Sequence, residues 1–340
     1  MVQSTLRISS SPHLKRRTTT DAIMRNVVWA MLPVAAFAVY SFGLGTLMLL
    51  MTTTVTCVLT EHVLCRLSGQ ESTISDWSAL VTGLLLGLTL PPIFPLWMAF
   101  VGSVIAIGLG KFIFGGLGYN VFNPALVGRA VLQAAFPAAI TTWYPAFIEN
   151  RFTEVAASTL TLPFMRPPAV DVITGATPLS AFKFEGVRAE TGDLALGLIS
   201  GSTGETCAVL IILGGIYLVA RKMMNWRIPV AVLGSAFALS GLFYLVDPGA
   251  YPHPIFMLFS GGLMLGAVFM ATDMVASPLT PRGVWVYGAF IGIVTIVIRL
   301  WGGLPEGVMY AILLANAVSP HIDGWIQPRV YGTTKKAAVT

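Results

Sequence analysis

The residues best placed to do chemistry stand in the stretch Val170-Asp171-Val172-Ile173-Thr174-Gly175-Ala176-Thr177-Pro178-Leu179. The Thr177 hydroxyl can form a phosphate monoester. Small residues before it and a proline after it favour a bent, exposed presentation. The same pattern describes an ordinary threonine at a turn before a helix, and the residues alone leave both readings open. A second candidate is the run from Gly110 to Ala125, where repeated glycines let backbone approach a ligand closely. Asp273 and Glu306 lie beside helix-breaking residues at expected helix ends. Ionisable groups near membrane depth are functional candidates by default; a solvated helix-end residue is the alternative. Asp273, before Ser277-Pro278, is the candidate for handling an ion.

Other chemistries find little support. Cys57, Cys65 and Cys207 form no Cys-x-x-Cys pair and fall short of the four ligands of a common iron–sulfur cluster; they read as packing residues. The four histidines are far apart. No Ser/His/Asp set or paired-carboxylate hydrolase site is visible, so no catalytic residue and no metal ligand is assigned. No Gly-x-Gly-x-x-Gly fingerprint follows a strand, which argues against a bound dinucleotide. The basic residues are scattered, without the aromatic-laced stripe of a nucleic-acid surface.

The elements that hold these residues must lie in lipid. The 340 residues are 55% hydrophobic and only 10% charged, with mean hydropathy +0.79, whereas soluble domains carry about 25% charged residues. Apolar runs of membrane-crossing length recur, and their continuity favours helices over a barrel. Ten spans are expected, near 22–40, 44–64, 78–90, 94–109, 124–136, 206–220, 228–246, 255–271, 284–300 and 308–318. Pro91-Pro92 stops the third. Asn123 caps the fifth, with Pro124 in its first turn.

Of the 20 Lys and Arg residues, this arrangement puts fourteen on the side of the N-terminus and five on the other, four of those in the long loop that holds Thr177; Arg129 lies inside the fifth helix. The positive-inside rule then sets both termini in the cytoplasm and Thr177 outside. Arg129 and Arg299 read as snorkelling or interface anchors. The fold class is an all-α polytopic membrane protein of about ten helices. Five spans on each side of the long loop suggest two inverted five-helix repeats with broken helices. The expected organisation is a cytoplasmic arm over 1–21 and a first membrane half over 22–136. A periplasmic loop over 137–203, a second half over 204–318 and a cytoplasmic tail over 319–340 complete it.

Four pieces now carry a resemblance over nearly the whole chain. They are Gly-Gly-Leu-Gly-Tyr-Asn-Val-Phe-Asn-Pro-Ala at 115–125, Asp-Val-Ile-Thr-Gly-Ala-Thr-Pro-Leu at 171–179, Ser-Gly-Gly at 260–262 leading to Phe-Met-Ala-Thr-Asp at 269–273, and Gly-Gly-Leu-Pro-Glu-Gly at 302–307 with Asn316. Together they resemble the D-type membrane component of the Rnf electron-transport complex and, more distantly, the B-type component of the sodium-pumping NADH:quinone oxidoreductase. The resemblance implies a covalent FMN on Thr177, attached by a flavin transferase that uses FAD as donor and releases AMP. Asp171, Thr174, Gly175 and Ala176 match the transferase's motif. It also implies a non-covalent riboflavin at Asn120 and Asn123. The implied setting is the bacterial inner membrane, within an ion-translocating ferredoxin:NAD oxidoreductase that moves Na+ or H+. A periplasmic flavoprotein subunit and membrane iron–sulfur subunits would be partners; the place of Asp273 between a broken helix and Ser277-Pro278 makes it the candidate for coupling electron flow to the ion. The competing class is a small-solute channel or carrier of urea-transporter-like architecture, which has no use for a flavin-transfer motif.

Overall fold

A computed structural model describes residues 19–163, 165, 177–186, 191–197, 201–205 and 207–327. Asp171, Thr174, Gly175 and Ala176 lie outside the described residues. The helices in chain order are α1 (Thr20–Phe42), α2 (Leu44–Leu67), α3 (Ser78–Thr89), α4 (Leu96–Gly108), α5 (Pro124–Ala135), α6 (Pro137–Ile140), α7 (Pro178–Ser180), α8 (Thr191–Leu196), α9 (Ala208–Ala220), α10 (Arg227–Val246), α11 (Pro254–Phe259), α12 (Leu263–Leu265), α13 (Pro281–Trp301) and α14 (Val308–Trp325). No strand occurs among the described residues. Among the described residues five helical stretches are long and apolar enough to cross a membrane (α1, α2, α4 with its continuation to Phe114, α10 and α13), and α3 and α9 are shorter apolar helices. The chain is an all-α polytopic membrane protein.

Helix α2 shows why the chain needs lipid. Leu47, Met51, Val55, Leu59 and Val63 repeat every fourth residue and are all exposed. The opposite face buries Thr46, Thr53, Thr56 and Glu61. Spacing of four keeps side chains on one face, so apolar groups point out and polar ones in. That pattern is costly in water and favourable in hydrocarbon.

Packing repeats between the halves. Helix α2 packs on α3 and α4, and α4 packs on α5; α10 packs on α11 and α13, and α13 packs on α14. The halves meet where α1 touches α9 and where α5 touches α14. Small residues allow the tightest crossings. A Cβ on Gly83 would stand 2.5 Å from the Thr54 backbone, and one on Gly292 would stand 2.4 Å from the Val232 carbonyl.

Four expectations change. The eighth span is not continuous: α11 ends at Phe259, and a second piece runs through α12 into a π-helical turn at Gly266–Met270. Gly261 at the break has φ +64, and a Cβ there would stand 2.6 Å from Glu306, so neither conformation nor space suits another residue. The tenth helix runs on to Trp325, past the expected end at 318 and through Pro320. The end of the expected loop, 201–203, packs on the core together with Gly204: Thr203 N–H donates to Leu90 O at 3.2 Å and Gly204 N–H to Leu88 O at 2.7 Å. These bonds satisfy carbonyls freed where α3 stops before Pro91, and no water is at hand in lipid to do so. Lys111, expected at the inner surface, is 4% exposed and paired with Glu61. The excess of basic residues on the N-terminal side persists without it.

Candidate functional site

Helix α5 organises two sites, one at each end. At its start Asn123 accepts from Ala125 N–H at 3.1 Å and Leu126 N–H at 3.5 Å, and Pro124 occupies the first turn. The preceding glycines Gly115, Gly116 and Gly118 all have positive φ, as the irregular reading of this run requires. The cap leaves the Asn123 amide nitrogen free to donate across the seam to Met270 O at 3.2 Å. Asn120 likewise donates to Asp273 at 3.3 Å. The Asn316 amide bonds Tyr287 at 2.7 Å and stands 3.1 Å from Asn123 N. The three motif pieces at 115–125, 260–273 and 302–316 thus converge, although far apart in sequence.

Asn120, Asn123 and Asp273 line one cavity with Lys111, Thr272 and Phe269, of about 90 Å³. Cofactor pockets usually span about 300–1,000 Å³, and both amides are already engaged within the protein. In this arrangement the cavity does not admit a flavin.

The other end of α5 is different. Arg129 and Gln133 line a cavity of about 530 Å³ with Trp143, Ser180, Phe184 and Tyr310. Gln133 lies ten residues beyond Asn123, about 15 Å along the helix at 1.5 Å per residue. Ser180 ties this cavity to Thr177: the two side-chain oxygens are 2.8 Å apart, and Thr177 Oγ1 also accepts from Ser180 N–H at 3.2 Å as the cap of α7. The volume suits a cofactor, and the aromatic rings with Arg129 and Gln133 match a flat, polar-edged ring. These residues fit the implied FMN.

Thr177 itself is 5% exposed, against the expected exposed presentation. Its hydroxyl closes its own turn, because a threonine before a helix-starting proline is drawn into capping. Lys183, just beyond, holds the element down. Its ammonium donates to Arg299 O at 2.9 Å, Gly302 O at 2.5 Å and Leu304 O at 3.0 Å, satisfying carbonyls at the end of α13. Burial lowers the proton affinity of this lysine below its ordinary range.

Glu306 also lines the larger cavity, and it is not a solvated helix-end residue. It pairs with Arg129 at 2.9 Å and accepts from Gly262 N–H at 2.8 Å. Arg299 donates to Met257 O and to Ser260 O, the latter at 2.9 Å, tying the end of α11. Neither arginine snorkels: Arg129 is 6% exposed and Arg299 is 3%. A guanidinium inside a membrane protein finds its stable place on carboxylates and on loose helix-end carbonyls. Sequence reading missed Lys183, Glu205 and the Glu61–Lys111 pair. Glu61, alone in an apolar run, carried the general signal of an intramembrane acid; Lys183 carried none. Among the described residues no His/Cys/Asp/Glu group could hold a metal ion, and all three cysteines are free and buried.

Comparison with known proteins agrees with the converging motifs. The D component of the proton-translocating ferredoxin:NAD(+) oxidoreductase complex of Clostridium ljungdahlii is 40% identical over 338 residues, covering 96% of each chain. The D component of the Na(+)-translocating ferredoxin:NAD(+) oxidoreductase complex of Acetobacterium woodii is 41% identical over 339 residues, covering 98% of each. The D component of the ion-translocating oxidoreductase complex of Halorhodospira halophila is 38% identical, over 97% of this chain and 96% of its own. Residues 7–332 match the NQR2, RnfD, RnfE family, and the chain belongs to that family.

Proposed function

We propose that this chain is the D-type membrane component of an ion-translocating ferredoxin:NAD oxidoreductase, carrying electrons through an FMN esterified to Thr177. The observation that carries the reading is the cavity of about 530 Å³ beside the Thr177 turn, bounded by rings and by one guanidinium. An attached FMN supplies acceptance of one or two electrons in separate steps. The protein's part is to place it. The Thr177 turn fixes the attachment point, Lys183 anchors the turn on the α13 end, Trp143, Phe184 and Tyr310 line the cavity, and the Arg129–Glu306 pair sets a charged edge in its wall.

Electrons would enter from a periplasmic flavoprotein subunit and leave toward membrane iron–sulfur subunits, with translocation of Na+ or H+. Both termini would be cytoplasmic, in the bacterial inner membrane. Relatives of nearly equal likeness are named for each ion, so likeness does not choose between them. The test is a denaturing gel under ultraviolet light, from cells holding the flavin transferase. A fluorescent band near 36.3 kDa that disappears in Thr177→Ala is expected. A dark wild-type band, or fluorescence that survives Thr177→Ala, refutes the assignment.

A further inference from the structure

Behind the wall of the larger cavity, Glu205 faces Glu306 within hydrogen-bonding reach. A Cβ built on Gly262 would lie 3.2 Å from Glu205 Oε1 and 3.7 Å from Glu306 Oε1, so both carboxyls crowd the break in the eighth span. Two carboxylates this close cannot both be ionised unless cations hold each of them. Glu306 has its cation in Arg129 and a backbone donor in Gly262. Glu205 has neither. The second guanidinium, Arg299, spends Nη1 and Nη2 on the carbonyls of Met257 and Ser260. These are the charged groups that face the pair, Arg129 from α5 and Arg299 from α13. Among the described residues, Glu205 Oε1, Arg129 Nε, Arg299 Nε and Ser260 Oγ are buried without a partner, although Ser260 is 0% exposed and Arg299 3%. Unpaired buried polar atoms are costly, and four in one cluster mark a place built for a mobile polar guest.

We infer that Glu205 and Glu306 form a proton-binding site at the seam between the two halves, with Glu205 carrying the proton and donating it to Glu306. The proton enters from the Thr177 side, because Glu306 and not Glu205 lines the cavity there. Glu205 sits on the segment bonded to the end of α3 and Glu306 on the loop before α14, so both halves contribute. The crowding guanidiniums favour a proton over a metal cation, which would need several oxygen ligands. This site goes beyond the flavin reading and does not rest on it.

The test is infrared spectroscopy of the intact purified complex. A protonated-carboxyl C=O band is expected that shifts on exchange into D2O, vanishes in Glu205→Gln and moves in Glu205→Asp. The aspartate variant serves if the glutamine variant does not assemble. A spectrum unchanged by the assembled variant overturns the site, and a band that never shifts in D2O overturns the open route. Loss of the band on adding sodium chloride at fixed pH, but not choline chloride, would give the site to a metal cation and overturn the inference. Gel fluorescence of Thr177 is read separately, so failure of one reading is distinguishable from failure of the other.

Discussion

Asn120 donates its amide hydrogen to the Asp273 carboxylate at 3.3 Å, across 153 positions of sequence. The bond joins the glycine-rich run before α5 to the turn that follows the broken eighth span. Asp273 also accepts from Val275 N–H at 3.0 Å, so its two oxygens serve opposite sides of the seam. A carboxylate held this way feels any movement of one half against the other.

If Asp273 couples electron flow to ion movement, Asp273→Asn uncouples them. Electron transfer in proteoliposomes continues, while ion uptake per electron falls well below the wild-type ratio. An unchanged ratio removes Asp273 from coupling. Asn120→Ala, which removes the partner and keeps the charge, is expected to weaken coupling less.

Lys183 controls how firmly the Thr177 turn is docked. Lys183→Met removes all three bonds to the α13 end. The flavin is expected to attach faster, because the transferase must reach a hydroxyl that is 5% exposed. Once attached it should rotate more freely, and its fluorescence anisotropy should fall. Equal attachment rate and equal anisotropy would show that the lysine anchors nothing of consequence.

Glu61 and Lys111 make a buried pair at 2.7 Å, with Lys111 also donating to Ser78. Lys111→Met strands a carboxylate that is 2% exposed, and breaking such a pair costs about 3–5 kcal/mol. A clear drop in thermal unfolding temperature in detergent is expected. The double variant Glu61→Leu/Lys111→Met should recover most of it, since replacing both charges removes the stranded one. No recovery would mean that the pair matters for something other than balance.

Gly292→Val tests the α10–α13 crossing. The first added carbon would meet the Val232 carbonyl at 2.4 Å, which only backbone movement can relieve. Overpacking typically costs about 1–3 kcal/mol, and a rigid helix crossing sits at the upper end. Yield of assembled complex should fall; a normal yield with normal melting would show that the crossing yields easily.

The sequence by itself determined the membrane class, nine of the ten expected helices in position, the stop before Pro91-Pro92 and the Asn123 cap. These depend on apolar runs and on local backbone chemistry, which neighbours in sequence settle. It also singled out Asp273 by its place, and Thr177, Asn120 and Asn123 through the motifs that carry the family resemblance. Only the tertiary structure decided what each of them touches. The burial of Thr177, the Lys183 anchor, the docking of 201–205 on α3 and the meeting of Glu205 with Glu306 all join distant segments. The break at Ser260-Gly261 carries no polar run to announce it, and the eighth span reads as continuous until Glu306 arrives against Gly261. Arg129 and Arg299 follow the same logic. A lone arginine in an apolar run finds no partner nearby in sequence, so its carboxylate or its loose helix end is supplied by the fold.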